Sequence, residues 1–490
     1  MTVPVEKIEL PVSPDATEIM ATGGDDRIGL DPATGLNRYY SAPTPSGILA
    51  YASSTANDIS AQAYAHVSAR LAEVGPEPSP RDYGAALEAL RARIRLAYGL
   101  AGEVAVVFAP SGTDLEYVAL ACASGRAAGG THNILLGADE VGSGCIHSAH
   151  GRYFGEATAL GVPTRVGGSV AGLDGAFVDL VDVPVRDAHG RVRPSADIAA
   201  RMEESIAAAG AAGRHTLVHA VHGSKTGLIL PSLADLDRLQ ARHGDGITIV
   251  VDACQGRITS SAVQDYLARG AIVFVTGSKF MGGPPFSGFA LVPPGAAQAA
   301  APLPSGLSTL FRKAEWPQGW PGSESLSDTV NPGLLMRLEA SIFELERFQR
   351  LDSEDVTPVI LAFHAAVRSE IIARTPARRV APYPPGEREE ADTHPIEMRT
   401  LSTLDLSRFA ASAAFEDAQA WHRALIAHGV RLGQPVKCVR LPDGRWGATL
   451  RIGLTMWQVA DRAGLADEAL ARTFADDMAR VREALLAVAN

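Results

Sequence analysis

The stretches ITIVVDACQGR (247–257) and AIVFVTGSKFMGGPPFSGFALVP (271–293) decide how this chain is read. Each begins with a run of β-branched and apolar residues and breaks into a turn, the pattern of a short strand buried on both faces. Asp252 closes the first run and Lys279 follows the second, 27 residues on. That spacing is about one strand–helix–strand unit. Similar runs lie on either side: EVAVVFAP (103–110), HNILLGA (132–138), TLVHAVHG (216–223) and GFALVP (288–293). Strands alternating with helical stretches predict a large α/β domain whose mostly parallel sheet is covered by helices on both faces.

Working outward, the chain divides into three. Residues 1–60 are irregular, with turn signals ATGGDD, DPATG and SAPTPSG. Residues 61–333 form the large domain, entered through helical patterns from about Ser60 to Val74 and over 81–100. Residues 334–490 form a smaller α+β unit. It opens with helices over roughly Leu334–Arg350 and Thr357–Thr375, followed by a Pro- and charge-rich linker (375–395). A strand (396–406), a helix (415–429), a hairpin at Pro442-Asp443-Gly444 and a last helix from about Asp467 complete it. A cleft between two such units is a favoured place for a small ligand.

Composition narrows the ligand. A net charge of −11 disfavours nucleic acid, whose phosphates are bound through excess Lys and Arg. No run of about 18 apolar residues is present to span a bilayer. The opening MTVPVEKIELPVSPDA lacks the basic and apolar regions of a secretion signal, so a cytoplasmic location is expected. Cys122, Cys145, Cys254 and Cys438 are far apart with no metal-binding spacing, so neither a disulfide framework nor a metal site is expected. Lysine is scarce: Lys7, Lys225, Lys279, Lys313 and Lys437 are the only five, a short roll of amines.

Ligands of open α/β sheets bind beyond the carboxyl ends of the strands, so Asp252 and Lys279 are expected to face one crevice. A lysine there can form a Schiff base with an aldehyde cofactor. A carboxylate can keep a pyridine nitrogen protonated, so the pair points to pyridoxal phosphate. The plain alternative is a surface Lys and an Asp that caps the next helix. In AVVFAPSGTDLEYVALACA (105–123), Ser111, Gly112 and Thr113 lie where a strand turns into a helix. Free amides and the helix dipole suit a phosphate at such a turn, although ordinary N-capping gives the same letters. Thr276 and Ser278 add hydroxyls beside Lys279. Ser224 and His222 end the strand of HAVHGSKTGLILP (219–231), and Gln255 stands within reach of a ring oxygen. His147, or less readily His150, is a candidate to stack on a flat ring, with surface or core filling as the alternative. Arg451, inside the apolar strand GATLRIGLT (447–455), is a candidate for an α-carboxylate unless an internal Asp or Glu claims it.

Six motifs in this order, APSGTDLE, HGSKTG, VDACQG, TGSKF, SDTVNPG and TLRIGL, resemble the fold-type I pyridoxal-phosphate enzymes, specifically the class V aminotransferase and cysteine desulfurase superfamily. The resemblance covers roughly residues 60–490. It implies the fold of that group, with a seven-stranded type of sheet, and a homodimer in which Thr329 of the SDTVNPG loop reaches the neighbouring subunit's cofactor phosphate. HGSKTG and GSKFMGGPPFSG are similar to the alanine–glyoxylate and serine–pyruvate aminotransferase branch, whereas DACQG is closer to desulfurases and lyases. Desulfurases usually have His where Ser278 stands, and they need a mobile cysteine shortly before the carboxylate Arg. Cys438 lies 13 residues before Arg451, but KCVRLPDGRWGATLR (437–451) reads as a hairpin and makes that cysteine structural.

The expected protein is therefore a pyridoxal-phosphate enzyme acting on an amino acid, first an aminotransferase and second a C–S or β-lyase or a desulfurase using Cys438. Aromatic residues beside Gly/Pro turns, Tyr39 in NRYYSAPTPSG (37–47) and Trp316 and Trp320 in the loop at 316–333, are expected to wall its substrate pocket.

Overall fold

A computed structural model describes residues 14–174, 177–383 and 400–489. After β1 (Leu49–Tyr51), the strands β2 (Ala105–Ala109), β3 (Thr131–Leu136), β4 (Val178–Val183), β5 (His215–His222), β6 (Ile229–Leu230), β7 (Ile247–Asp252), β8 (Ile272–Thr276) and β9 (Gly288–Val292) follow. They build one large sheet of order β2-β9-β8-β7-β5-β3-β4, with β6 beside β5 off this seven-strand path. Every residue of β5, β7, β8 and β9 is buried, as continuous apolar runs require when helices cover both faces. Within the path, β9 alone runs antiparallel to its neighbours β2 and β8, so β2 points the same way as β8. The carboxyl ends of β2, β3, β5, β7 and β8 thus share one edge.

The sequence reading missed β4. Its residues VDLVDV are only partly buried at the sheet margin, and Asp179 and Asp182 interrupt the apolar run that marks the inner strands.

The C-terminal part adds β10 (Arg378–Val380), β11 (Leu401–Asp405), β12 (Val430–Leu432) and β13 (Thr449–Gly453). β10, β11 and β13 form an antiparallel sheet, and β1 pairs in parallel with β12. The start of the strand expected at 396–406 and much of the linker expected at 375–395 lie outside the described residues.

Helix starts follow local chemistry. Ser60 and Ser79 accept the Ala63 and Asp82 amides at the starts of helices Ala61–Val74 and Pro80–Tyr98, and Asn331 does the same for Leu334 in helix Pro332–Phe348. Each such cap contributes about 1 kcal/mol. Pro80 and Pro332 occupy first-turn positions whose missing N–H costs nothing. The second C-terminal helix runs from Ser353 to Ala366 and continues as a wider turn over Val367–Ile372. One apolar core extends from Ala16 to Leu485, so the three sequence segments share a single interior. No helix among the described residues is long and apolar enough to cross a membrane.

Candidate active site

The shared carboxyl edge opens into a cavity of about 1150 Å³, including its mouth. Asp252, at the end of β7, is buried at its floor, and its Oδ1 accepts the Cys254 amide at 2.9 Å. Lys279 lies just after β8, the next strand over, and lines the same cavity. Its backbone is clamped from a distant part of the chain: the Asn57 amide donates to the carbonyls of Ser278 at 3.1 Å and Lys279 at 2.6 Å. Thr276 Oγ1 donates to the Cys254 carbonyl at 2.6 Å and ties the two strand-end turns together, with the Ser278 hydroxyl 3.4 Å away.

The turn Ser111-Gly112-Thr113 joins β2 to helix Leu115–Ala123 on one side of this floor. A Cβ at Gly112 would stand 2.7 Å from Thr276 Cγ2 and 3.3 Å from Cys254 Sγ, so the turn approaches the lysine strand as closely as a glycine permits. The Gly112 and Thr113 amides have no acceptor among the described residues. Ser111 Oγ donates to the buried Asp114 at 2.6 Å, and burial pushes that carboxyl up to about 7.

Opposite, Arg451 of β13 is fully inside. Its Nε donates to Gln434 O, its Nη1 to the carbonyls of Ser54 and Lys225, and its Nη2 to Thr55 Oγ1, at 2.9–3.2 Å. A guanidinium has five N–H donors, so one on Nη2 is left for the cavity. No carboxylate lies within ion-pair distance among the described residues, and burial pushes its pKa down to about 10, against Glu140 and Cys438, which raise it. The internal Asp or Glu that might have claimed it is absent from its contacts. Gln255 donates to Ser54 O at 3.3 Å and accepts from Arg257 at 2.8 Å. Arg257 is completely buried on neutral partners, Ser53 and Thr400 among them, and burial followed by Arg451 pushes it down to about 9.

Ten of the residues singled out from sequence line this cavity: Ser111, Gly112, Thr113, Ser224, Asp252, Gln255, Thr276, Ser278, Lys279 and Arg451. Ser224 is there in a different role, because its hydroxyl is donated to buried Glu140 at 2.6 Å. Tyr39 is also a wall residue.

The remaining candidates lie outside this lining. His147 does not line the cavity. It sits in the single helical turn Cys145–Ser148, where Cys145 faces inward, and two residues on the side chain has rotated about 200° away. His150, in the turn that follows, is likewise outside the lining. His222 points to the Tyr266 hydroxyl of helix Ser260–Ala268, 3.1 Å away, and does not line the cavity. Trp316 and Trp320 are core residues, packed edge-on at 5.1 Å and buried with Phe311. Cys438 is buried outside the lining, and burial pushes its thiol up to about 12. Thr329 is exposed and hydrogen-bonded to Ser327 at 2.9 Å.

Among the wall residues not expected from sequence are Arg27, Cys145, Glu140 and Lys225. Arg27 reaches in from the N-terminal segment, held by Asp25 at 2.8 Å and resting on the rings of Phe154 and Phe286. Cys145, two residues before His147, lines the cavity where His147 does not. Glu140, after β3, accepts from Arg186 at 2.7 and 3.0 Å, from Ser224 and from Thr226; burial alone would raise its pKa, but Arg186 and the hydroxyls hold it below the ordinary carboxylate range. Lys225 follows β5, its Nζ 3.2 Å from Asp139 O, and burial followed by Arg451 pushes its amine down to about 8. The signal that found Lys279, a rare lysine just beyond a strand's carboxyl end, applied equally to Lys225.

No protein-family model and no curated protein match this chain. Solved structures do. A cysteine desulfurase from Escherichia coli is 15% identical with a TM-score of 0.54, covering 90% of this chain and 95% of its own. The ureidoglycine–glyoxylate aminotransferase from Bacillus subtilis is 13% identical with a TM-score of 0.53 (91% and 93% covered). A serine palmitoyltransferase variant from S. paucimobilis, solved with a bound PLP–myriocin aldimine, is 13% identical with a TM-score of 0.50 (86% and 84% covered). The fold is that of the fold-type I PLP enzymes, as the order of motifs implied.

Proposed function

We propose that the protein is a pyridoxal-phosphate-dependent enzyme acting on an amino acid, with transamination as its reaction. The observation that carries this reading is the meeting of Lys279, Asp252 and Arg451 in one cavity with the glycine turn at 111–113. The residues fit the cofactor. The missing Cβ at Gly112 leaves a cradle bounded by Thr276 and Cys254, and the Gly112 and Thr113 amides are free to donate to phosphate oxygens. Asp252 lies where it can accept a pyridinium N–H, and Gln255 and Ser278 supply further polar contacts.

When bound, the cofactor supplies an aldehyde that condenses with amines and a protonated ring that draws electrons from Cα. Lys279 would hold it through its Nζ, and the same amine, when free, would take up and hand back the substrate Cα proton as general base and general acid. Asp252 would accept the ring N–H and keep that nitrogen protonated. Arg451, fixed by four backbone and hydroxyl contacts, would offer its remaining N–H and its charge to the α-carboxylate and so orient the substrate. In this reading the protein works in the cytoplasm as a homodimer, with Thr329 reaching the other subunit's cofactor phosphate.

Thiol chemistry is less well supported. All four cysteines are buried, and the thiols that line the cavity, Cys145 and Cys254, are pushed well above their ordinary range, first by burial. The test begins with borohydride reduction of the purified protein and mass mapping. The expected label is a phosphopyridoxyl group on Lys279; a label on Lys225, or none, refutes the assignment. Incubation with an amino-acid panel then separates reactions: keto-acid release with conversion of the cofactor to its amine form supports transamination, whereas pyruvate with ammonia, or alanine with sulfide, makes it a lyase or desulfurase.

A further inference from the structure

Resting on the cofactor reading above, a second cation in the cavity bears on which amino acid fits. Lys225 and Arg451 are neighbours: Arg451 Nη1 donates to the Lys225 carbonyl at 3.2 Å, and both side chains line the cavity. The other charges there are already matched. Arg27 is held by Asp25, and Glu140 by Arg186, Ser224 and Thr226. In the proposed function Lys279 is consumed by the cofactor and Asp252 by its ring nitrogen. Lys225 has no carboxylate within ion-pair distance among the described residues, and its Nζ contacts only a backbone carbonyl, Asp139 O, among them. Its loop is rigid, because Ser224 and Thr226 on either side both bond Glu140.

Two adjacent cations without an ion-paired carboxylate, with Glu140 acting on both only from beyond ion-pair distance, are costly in a partly buried site and are stabilised when an anion arrives at each. A simple amino acid brings one carboxylate, which Arg451 takes. We propose that Lys225 receives a second anionic group, so that the substrate class is an amino acid whose side chain carries a carboxylate or comparable oxyanion. Lys225 is then a specificity residue of the substrate end of the cavity, and alanine-like substrates leave it uncompensated.

The test measures binding of succinate and propionate to the holoenzyme by calorimetry, on preparations whose Lys279 label is quantified in parallel. The expected result is a preference for succinate of roughly 10–100-fold, the range of one charge-assisted hydrogen bond. Lys225→Met is expected to reduce succinate to the level of propionate while leaving propionate unchanged, and Lys225→Arg to restore the preference. Equal affinities in the unmodified protein, with the Lys279 label intact, overturn the proposal and leave the cofactor reading standing. So does a preference that survives Lys225→Met, including the case where that variant keeps the preference and loses turnover, which moves Lys225 to proton transfer. Absence of the label removes the cofactor reading and this proposal with it.

Discussion

Replacing Glu140 by Gln removes one charge from a pair buried against the loop that carries Lys225. The Glu140 and Arg186 side chains are 2% and 8% exposed, with Arg186 Nη2 and Nε at 2.7 and 3.0 Å from Glu140 Oε1. Removing one member of such a pair leaves the other charged in a poor solvent, at a cost of about 3–5 kcal/mol. Glutamine keeps the shape but puts an NH2 against donors on one side, Arg186 or the Ser224–Thr226 pair, so the loss reports the charge and one lost acceptor rather than a cavity. Urea or guanidinium midpoints, read for the first unfolding step, measure it, and Arg186→Met in the Glu140→Gln background is expected to recover most of the loss. The pH dependence has a definite sign. Arg186 and the hydroxyls hold the Glu140 carboxyl below its unfolded value of about 4.3, so its contribution is complete above that pH and is lost as pH falls through the folded value. The gap between the native protein and Glu140→Gln is therefore expected to close in acid. A loss under about 1 kcal/mol, the size of an exposed ion pair, with no recovery in the double variant, refutes the argument.

Gly112→Ala forces a methyl to 2.7 Å from Thr276 Cγ2, whose hydroxyl is pinned to Cys254 O; the expected loss is about 1–3 kcal/mol together with weaker cofactor retention on dialysis, and unchanged retention counts against the phosphate turn. Cys438→Ala is expected to keep turnover on any active amino acid, since the thiol is buried, outside the cavity lining and pushed up to about 12; loss of turnover with intact folding revives the desulfurase reading. Succinate binding at about pH 8.5 is expected to take up protons, because an anion raises the amine of Lys225 from its depressed value near 8, against Arg451 and Lys279, which lower it, and Glu140 and Cys145, which raise it. Binding enthalpies in buffers of different ionisation enthalpy measure that uptake, and Lys225→Met should abolish it.

Much of the cavity was legible from one rule: residues just past the carboxyl ends of buried parallel strands face the ligand. The rule found Asp252, Thr276, Ser278 and Lys279, and with the glycine turn it found Ser111, Gly112 and Thr113. It was not applied to Lys225, which stands at the same depth after β5. His147 escaped correct reading because facing depends on helical phase, and a turn of four residues shows no periodicity. Trp316 and Trp320 lie in a Gly/Pro-rich loop, yet the loop folds back into the core, which local composition does not reveal. Strands β1 and β12 are three residues each and gain their stability from one another, so neither carries a pattern of its own.

That pairing also orders events during synthesis. Leu49 aligns with Val430, and Ala52 bridges to Gly453, so the N-terminal segment waits for some 380 residues of chain before its partner leaves the ribosome. At ordinary elongation rates the wait is roughly 20–80 s. The same segment supplies Ser54 and Thr55 to Arg451 and Asn57 to the backbone of Lys279. The cation site and the lysine clamp cannot form without that segment, and the cation site also needs Arg451, so the cavity is complete only when the C-terminal strands have been made.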